Sequence, residues 1–142
     1  MKRNERGANL VEFALLAPLL ILLVFGIIEF GWLFGQFNDV RHGVREGARF
    51  AAVNAGTSVQ IKDKVCTSME GLSAGMSSIT VDLVEGGPNV GDQSTITVTA
   101  DVTSLSGLPL ITTFLPDELT STVTFRQEQP PASWGTQAGQ TC

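Results

Sequence analysis

Residues 10–35 read LVEFALLAPLLILLVFGIIEFGWLFG, and their only ionisable side chains are Glu12 and Glu29. A helix crosses a bilayer with about 20 apolar residues, and this run is long enough. In hydrocarbon, every backbone N–H and C=O must bond within the segment, so the run is expected to be helical. A basic leader, MKRNERG, stands ahead of it, and behind it the chain turns polar. The stretch therefore divides the chain into a leader, an apolar helix and a small head outside the membrane.

The net charge of -5 hides a segregation. Lys2, Arg3 and Arg6 outweigh Glu5 before the apolar run. After Asn54, nine acidic residues stand against Lys62, Lys64 and Arg126. The Lys/Arg-rich end stays in the cytoplasm, which puts the acidic head on the exported side. An acidic head argues against nucleic acid as a partner, because that wants a basic face. A removable signal peptide has an apolar core of roughly 7–15 residues, shorter than this run. Cys66 and Cys142 both fall on the exported side. In an oxidising compartment they can pair with each other. Two free thiols, or a link through Cys142 to another chain, remain open alternatives.

Pro18 lacks an N–H and is expected to bend the helix or loosen one turn. Gly31 and Gly35 form a small-xxx-small pair, and so do Gly43 and Gly47. Such pairs let helix backbones approach closely, although glycine is also simply common in membrane helices. Past the apolar run, Phe37, Val40, Val44, Ala48, Ala51 and Ala52 recur at three- and four-residue steps. The helix is expected to continue as an amphipathic rod to about residue 55. Arg41, Arg45 and Arg49 make a stripe along it, read as a solvated face or a partner of acidic groups. His42 has no companion to suggest a metal. A second helix is expected over residues 58–72, capped by Thr57 or Ser58 and carrying Cys66. Met69 and Met76 read as packing residues.

The period then changes to two. Ile79, Val81 and Leu83 alternate with Thr80, Asp82 and Val84; after the turn-rich EGGPNVGD, Ile96, Val98, Ala100 and Val102 alternate with threonines and Asp101. This is the pattern of a hairpin with one buried face. Residues 119–126 supply a third strand. The second helix and the end of the rod are the available covers for the sheet. The connection LSGLPLITTFLPDE, residues 105–118, carries Leu108, Leu110, Ile111, Phe114 and Leu115. Such a segment fills a core or forms an exposed apolar patch for a partner. Residues 129–142 read as an irregular tail, with Trp134 available to dock it.

The expected fold is α+β: a long transmembrane helix continuing as a rod, a short helix and a three-stranded antiparallel sheet. The expected divisions are leader 1–7, helix 8–55, head 56–128 and tail 129–142. No metal-ligand spacing, phosphate-cradling loop or nucleophile–base pair occurs. The chain is therefore read as non-enzymatic, with no cofactor, no metal and no small-molecule substrate.

A carboxylate inside a bilayer is costly and is a functional hypothesis by default. Glu12 lies early in the span, and Glu29 lies toward the far interface. Gly7-Ala8-Asn9-Leu10-Val11-Glu12-Phe13 resembles the processing motif of type IVb Flp/Tad prepilins. Val11-Glu12-Phe13-Ala14, Ala17-Pro18-Leu19-Leu20, Gly26-Ile27-Ile28-Glu29-Phe30-Gly31 and Arg45-Glu46-Gly47-Ala48-Arg49 are similar to the TadE-like pseudopilin family. The resemblance implies that a prepilin peptidase cuts after Gly7 and leaves Ala8 as the new N-terminus. It also implies that Glu12 meets the N-terminal ammonium of a neighbouring subunit. A charge in low dielectric needs such a partner. The partners implied are the membrane, the peptidase, other pilins or pseudopilins and Tad assembly proteins. The location implied is the bacterial inner membrane, with one pass. The chain is longer than major Flp pilins, and its head implies a minor pilin. The alternative is an uncleaved bitopic protein whose head binds a periplasmic or surface partner.

Overall fold

The computed structural model describes residues 5–53, 56–69, 76–129 and 135–142. Lys2, Arg3, Leu72 and Trp134 of the sequence reading lie outside them. Helix α1 runs over Glu5–Val53, 49 residues, and passes through Pro18 without a break. At 1.5 Å per residue this is about 74 Å, more than twice the roughly 30 Å hydrocarbon core of a bilayer. The excess forms the rod, which carries the head.

The two parts of α1 differ in pattern. Large apolar side chains cover the first part on all sides, and Leu10, Phe13, Leu15, Leu19 and Ile27 are all more than 60% exposed. A helix apolar all round needs an apolar solvent or a buried place. By length and composition, α1 holds the one span able to cross a membrane among the described residues. Beyond Gln36 only one stripe is buried: Val40, Val44, Ala48 and Ala51. That spacing follows the 3.6-residue period and aims one face at the sheet.

Helix α2, Ser58–Ser68, packs on that rod. Thr57 opens it with a capping box: the Gln60 N–H donates to Thr57 Oγ1, and the Thr57 N–H donates to Gln60 Oε1. Such a box satisfies two N–H groups that the first turn leaves without helical partners. Ile61, Val65 and Met69 point inward, while Val59, in the first turn, is exposed.

Strands β1 (Met76–Val84), β2 (Gln93–Val102), β3 (Glu118–Arg126) and β4 (Gln137–Thr141) form one sheet. A short helix, α3 (Pro109–Thr112), lies in the β2–β3 connection. The strand order is β3-β2-β1-β4, and each pairing is antiparallel. Val81 opposes Val98, Leu83 opposes Ile96, and Ile96 in turn opposes Val123. These side chains face α1 and α2 and complete the core with Met69, Met76 and Ala100. The two methionines are thus packing residues. On the outer face, threonine hydroxyls meet in a row: Thr95 with Thr124, Thr97 with Thr122 and Thr99 with Thr120.

The sheet has four strands, not the three expected. Part of the tail read as irregular supplies β4. Its sequence, QAGQT, has no apolar alternation, so no buried face announces it. Backbone pairing to β1 holds it instead, with Thr141 opposite Thr80 and Gln137 opposite Leu83. Two side chains of the β1 segment assist: Asp82 Oδ1 accepts the Gly139 N–H, and Glu85 Oε2 accepts the Gly135 N–H. Gly139 has φ +66°, a conformation that costs glycine nothing. A Cys66–Cys142 disulfide then ties the strand's end to α2, with the two Cα atoms 5.7 Å apart.

Candidate functional site

The candidate site is the apolar part of α1 together with what lies against it. At its start, Gly7, Ala8, Glu12 and Phe13 all sit on helix and are exposed. Phe13 is 65% exposed. No described residue within the chain pairs with Glu12. These residues, about two turns near the helix start, form an open surface that presents a carboxylate one turn beyond the Gly7–Ala8 bond.

Glu29 has the opposite setting. It is 1% exposed, although Ile28 and Phe30 beside it are largely open. The β2–β3 connection covers it. Glu29 Oε1 accepts the Leu105 N–H at 2.7 Å, and Oε2 accepts the Ser106 N–H at 3.0 Å. The hydroxyls of Ser104 and Ser106 lie beside the same carboxylate. Hydrogen bonds to a charged acceptor are worth about 1.5–3 kcal/mol each. The carboxylate thus clamps the head's connection onto the anchor helix. It is spent on holding backbone, with no oxygen left facing solvent for acid–base work.

The connection does not fill the core under the sheet. Only Ile111 is buried; Leu105, Leu108, Leu110 and Phe114 are 41% to 74% exposed. These residues lie along α1. Ser106, Leu108, Pro109, Leu110 and Ile111 face Pro18, Ile21, Leu22 and Phe25 across an apolar groove of about 610 Å³. Leu110, Ile111 and Phe114 face Leu22, Gly26 and Phe30 across a second. Sequence reasoning placed Glu29 at an interface and missed its partner. The available signal was the uncharged run between Asp101 and Asp117, which has no place on a polar surface.

The glycine pairs divide. A Cβ on Gly43 would lie 2.3 Å from Met69 Cγ, and one on Gly47 would lie 2.2 Å from Val65 Cγ2. These two glycines let α2 of the same chain approach the rod. Gly31 meets nothing within 4 Å, and Gly35 is half-buried. Gly31 is therefore the member of the set left open toward other molecules. Arg41, Arg45 and Arg49 form an exposed stripe on the rod, with Arg41 over the Phe37 ring at 5.1 Å. His42 is exposed beside them. Among the described residues, no group of three His, Cys, Asp or Glu could hold a metal ion.

Residues 7–49 match the family model of the TadE-like proteins. The match begins at Gly7, covers the whole apolar run and ends on the rod, short of α2 and the sheet. No curated protein and no solved structure matches the chain.

Proposed function

We propose, from the TadE-like character of residues 7–49 as premise, that this membrane-anchored Tad pilus component is a minor pilin or pseudopilin. It acts without catalysis. Its apolar helix packs with other pilin helices, and its exported head governs assembly or adhesion. The observation that carries the reading is the exposed start of α1. Gly7, Ala8, Glu12 and Phe13 stand in processing order on an apolar helix whose early carboxylate has no partner among the described residues. A partner from a neighbouring subunit meets that need, and a newly cut Ala8 supplies an ammonium. Cutting after Gly7 also removes Lys2, Arg3 and Arg6, which weakens the topological anchor and eases extraction.

The test is the intact mass and N-terminal sequence of the protein purified from its native membrane. An N-terminus at Ala8 supports the reading. A retained Met1 overturns it in favour of an uncleaved bitopic anchor. Glu12→Ala is expected to insert normally and assemble poorly, and normal assembly by that variant would remove the role given to Glu12. Gly7→Leu is expected to leave the leader attached, seen as an unprocessed mass.

A further inference from the structure

The β2–β3 connection carries no charged side chain over fifteen residues. From Val102 to Pro116 the sequence is VTSLSGLPLITTFLP, flanked by Asp101 and Asp117. Ile111 is buried and Val102 and Leu115 are half-buried, but the other large side chains are exposed. Phe114 is 74% exposed, Leu110 59% and Leu105 56%. An apolar patch of this kind on a soluble head would be an aggregation or interaction site. Its position on α1 decides which. The connection is fixed at Glu29, and the groove its side chains line extends along α1 to Pro18. Eleven helical residues separate those two points, about 16 Å at 1.5 Å each. The uncharged run of α1 lies between Glu12 and Glu29. A groove that extends to Pro18 therefore extends to about the middle of that run.

We propose that residues 103–115 are a second membrane-seated element, dipping into the exported leaflet beside α1, with lipid acyl chains as the occupant of their exposed apolar face. The proposal rests on the reading of α1 as a membrane span. The exposed side chains of the connection are continuous with the exposed apolar surface of α1 at the same level. Whatever solvates Leu22, Phe25 and Phe30 therefore solvates Leu108, Leu110 and Phe114 as well.

The backbone fits this setting: among the N–H groups of residues 105–115, all but that of Leu110 meet a protein acceptor. Irregular backbone survives in hydrocarbon only where its polar groups are satisfied by protein. Glu29 takes the N–H groups of Leu105 and Ser106. Ser104 Oγ takes that of Gly107, and Ser106 Oγ that of Leu108. The N–H groups of Ile111 and Thr112 donate to Leu108 O, and that of Thr113 to Pro109 O. Those of Phe114 and Leu115 donate to Ile111 O and Thr112 O. Pro109 has none to satisfy. The hydroxyls of Thr112 and Thr113 fold back onto Pro109 O. Glu29 then has a defined role: it neutralises the backbone of the entering segment where that segment leaves the aqueous head.

The test places a single tryptophan in the full chain, in a Trp32→Phe, Trp134→Phe background. The chain is reconstituted in phosphatidylcholine vesicles whose acyl chains carry bromine at known depths. Phe25→Trp reports on the span, Val59→Trp on the head, and Phe114→Trp and Leu110→Trp on the connection. The expected result is loss of emission for Phe114→Trp and Leu110→Trp as large as for Phe25→Trp, with Val59→Trp unaffected. Loss for Phe25→Trp without loss for either connection variant overturns the proposal and leaves the span intact. No loss at any of the three overturns the span and the proposal together. Loss that disappears as the protein-to-lipid ratio rises, with α1 still quenched, overturns lipid as the occupant in favour of a second copy of this chain. Phe114→Trp exchanges one exposed aromatic for another, so it reports even if Leu110→Trp fails to fold.

Discussion

The carboxylate of Glu29 accepts the backbone N–H of Leu105 at 2.7 Å across 76 positions of sequence. This contact joins an anchor helix to the β2–β3 connection of the head, whose apolar side chains also line a groove with Pro18, Ile21, Leu22 and Phe25. The head thus meets α1 through the core along the rod, through this polar clamp and through the apolar grooves beside it.

The clamp gives the first prediction. Glu29→Ala removes the acceptor for two N–H groups, each bond worth about 1.5–3 kcal/mol. The connection should open locally while the core stays closed. Hydrogen exchange at the Leu105 and Ser106 amides is expected to rise at least ~10-fold, since each 1.4 kcal/mol is a factor of ten. Exchange at Val81, Ile96 and Val98 should not change. Glu29→Gln keeps one good acceptor and should fall between the two. Unchanged exchange at Leu105 in Glu29→Ala would show that packing against α1, and not the carboxylate, holds the connection.

The glycines give the second. A methyl on Gly47 meets Val65 Cγ2, and Val65 is β-branched and held in the core. Overpacking costs about 1–3 kcal/mol, against about 1 kcal/mol gained in helix propensity. Gly47→Ala should therefore destabilise the head. At Gly43 the nearest atoms are Met69 Cγ and Sδ, and a methionine gives way more easily. Gly43→Ala should cost less than Gly47→Ala. Gly31→Ala meets nothing and should leave the unfolding midpoint of the head unchanged in detergent. A loss of assembly in Gly31→Ala with normal head stability would then report packing between chains.

How much of this was legible in the sequence depends on whether an element has a buried side. The rod shows its period because Val40, Val44, Ala48 and Ala51 face the sheet. The first three strands show theirs because Val81, Ile96, Val98 and Leu119 face inward. β4 has no such side; its partners are backbone groups of β1, two acidic side chains and a disulfide. Backbone pairing leaves no residue pattern, so a polar QAGQT reads as a tail. The connection was legible as too apolar for an idle loop, but composition alone does not say which surface it lies on. The clamp at Glu29 was hidden for the same reason. Glu29 meets main-chain N–H groups, which every residue type carries.

A buried polar pair gives the third prediction. Ser94 and Gln127 are both buried, and Gln127 Nε2 donates to Ser94 Oγ at 2.7 Å. The same oxygen accepts the Gly86 N–H at 3.1 Å. Ser94→Ala strands both donors, at about 1–3 kcal/mol for a buried group left unsatisfied. The Gln127→Leu change in that background should recover part of the loss, because it removes one stranded donor. A double-mutant cycle on the unfolding midpoint measures this, and strict additivity of the two changes would refute the coupling.

The disulfide gives the last. Cys66 and Cys142 are 76 positions apart, and Cys142 also donates its N–H to Ile79 O at 3.0 Å. Closing a loop of that length stabilises by about 4.5 kcal/mol in the chain-entropy view. Little else fixes the far end of β4, an edge strand with no buried residue. Cys142→Ser should therefore lower the unfolding midpoint, and amides of β4 should exchange before those of β2. Reductant should do the same to the unaltered protein and nothing further to the variant. If Cys142→Ser matches the oxidised protein in stability, β4 is held by its backbone pairing to β1 alone. Equal sensitivity of variant and unaltered protein to reductant would mean that reductant acts elsewhere.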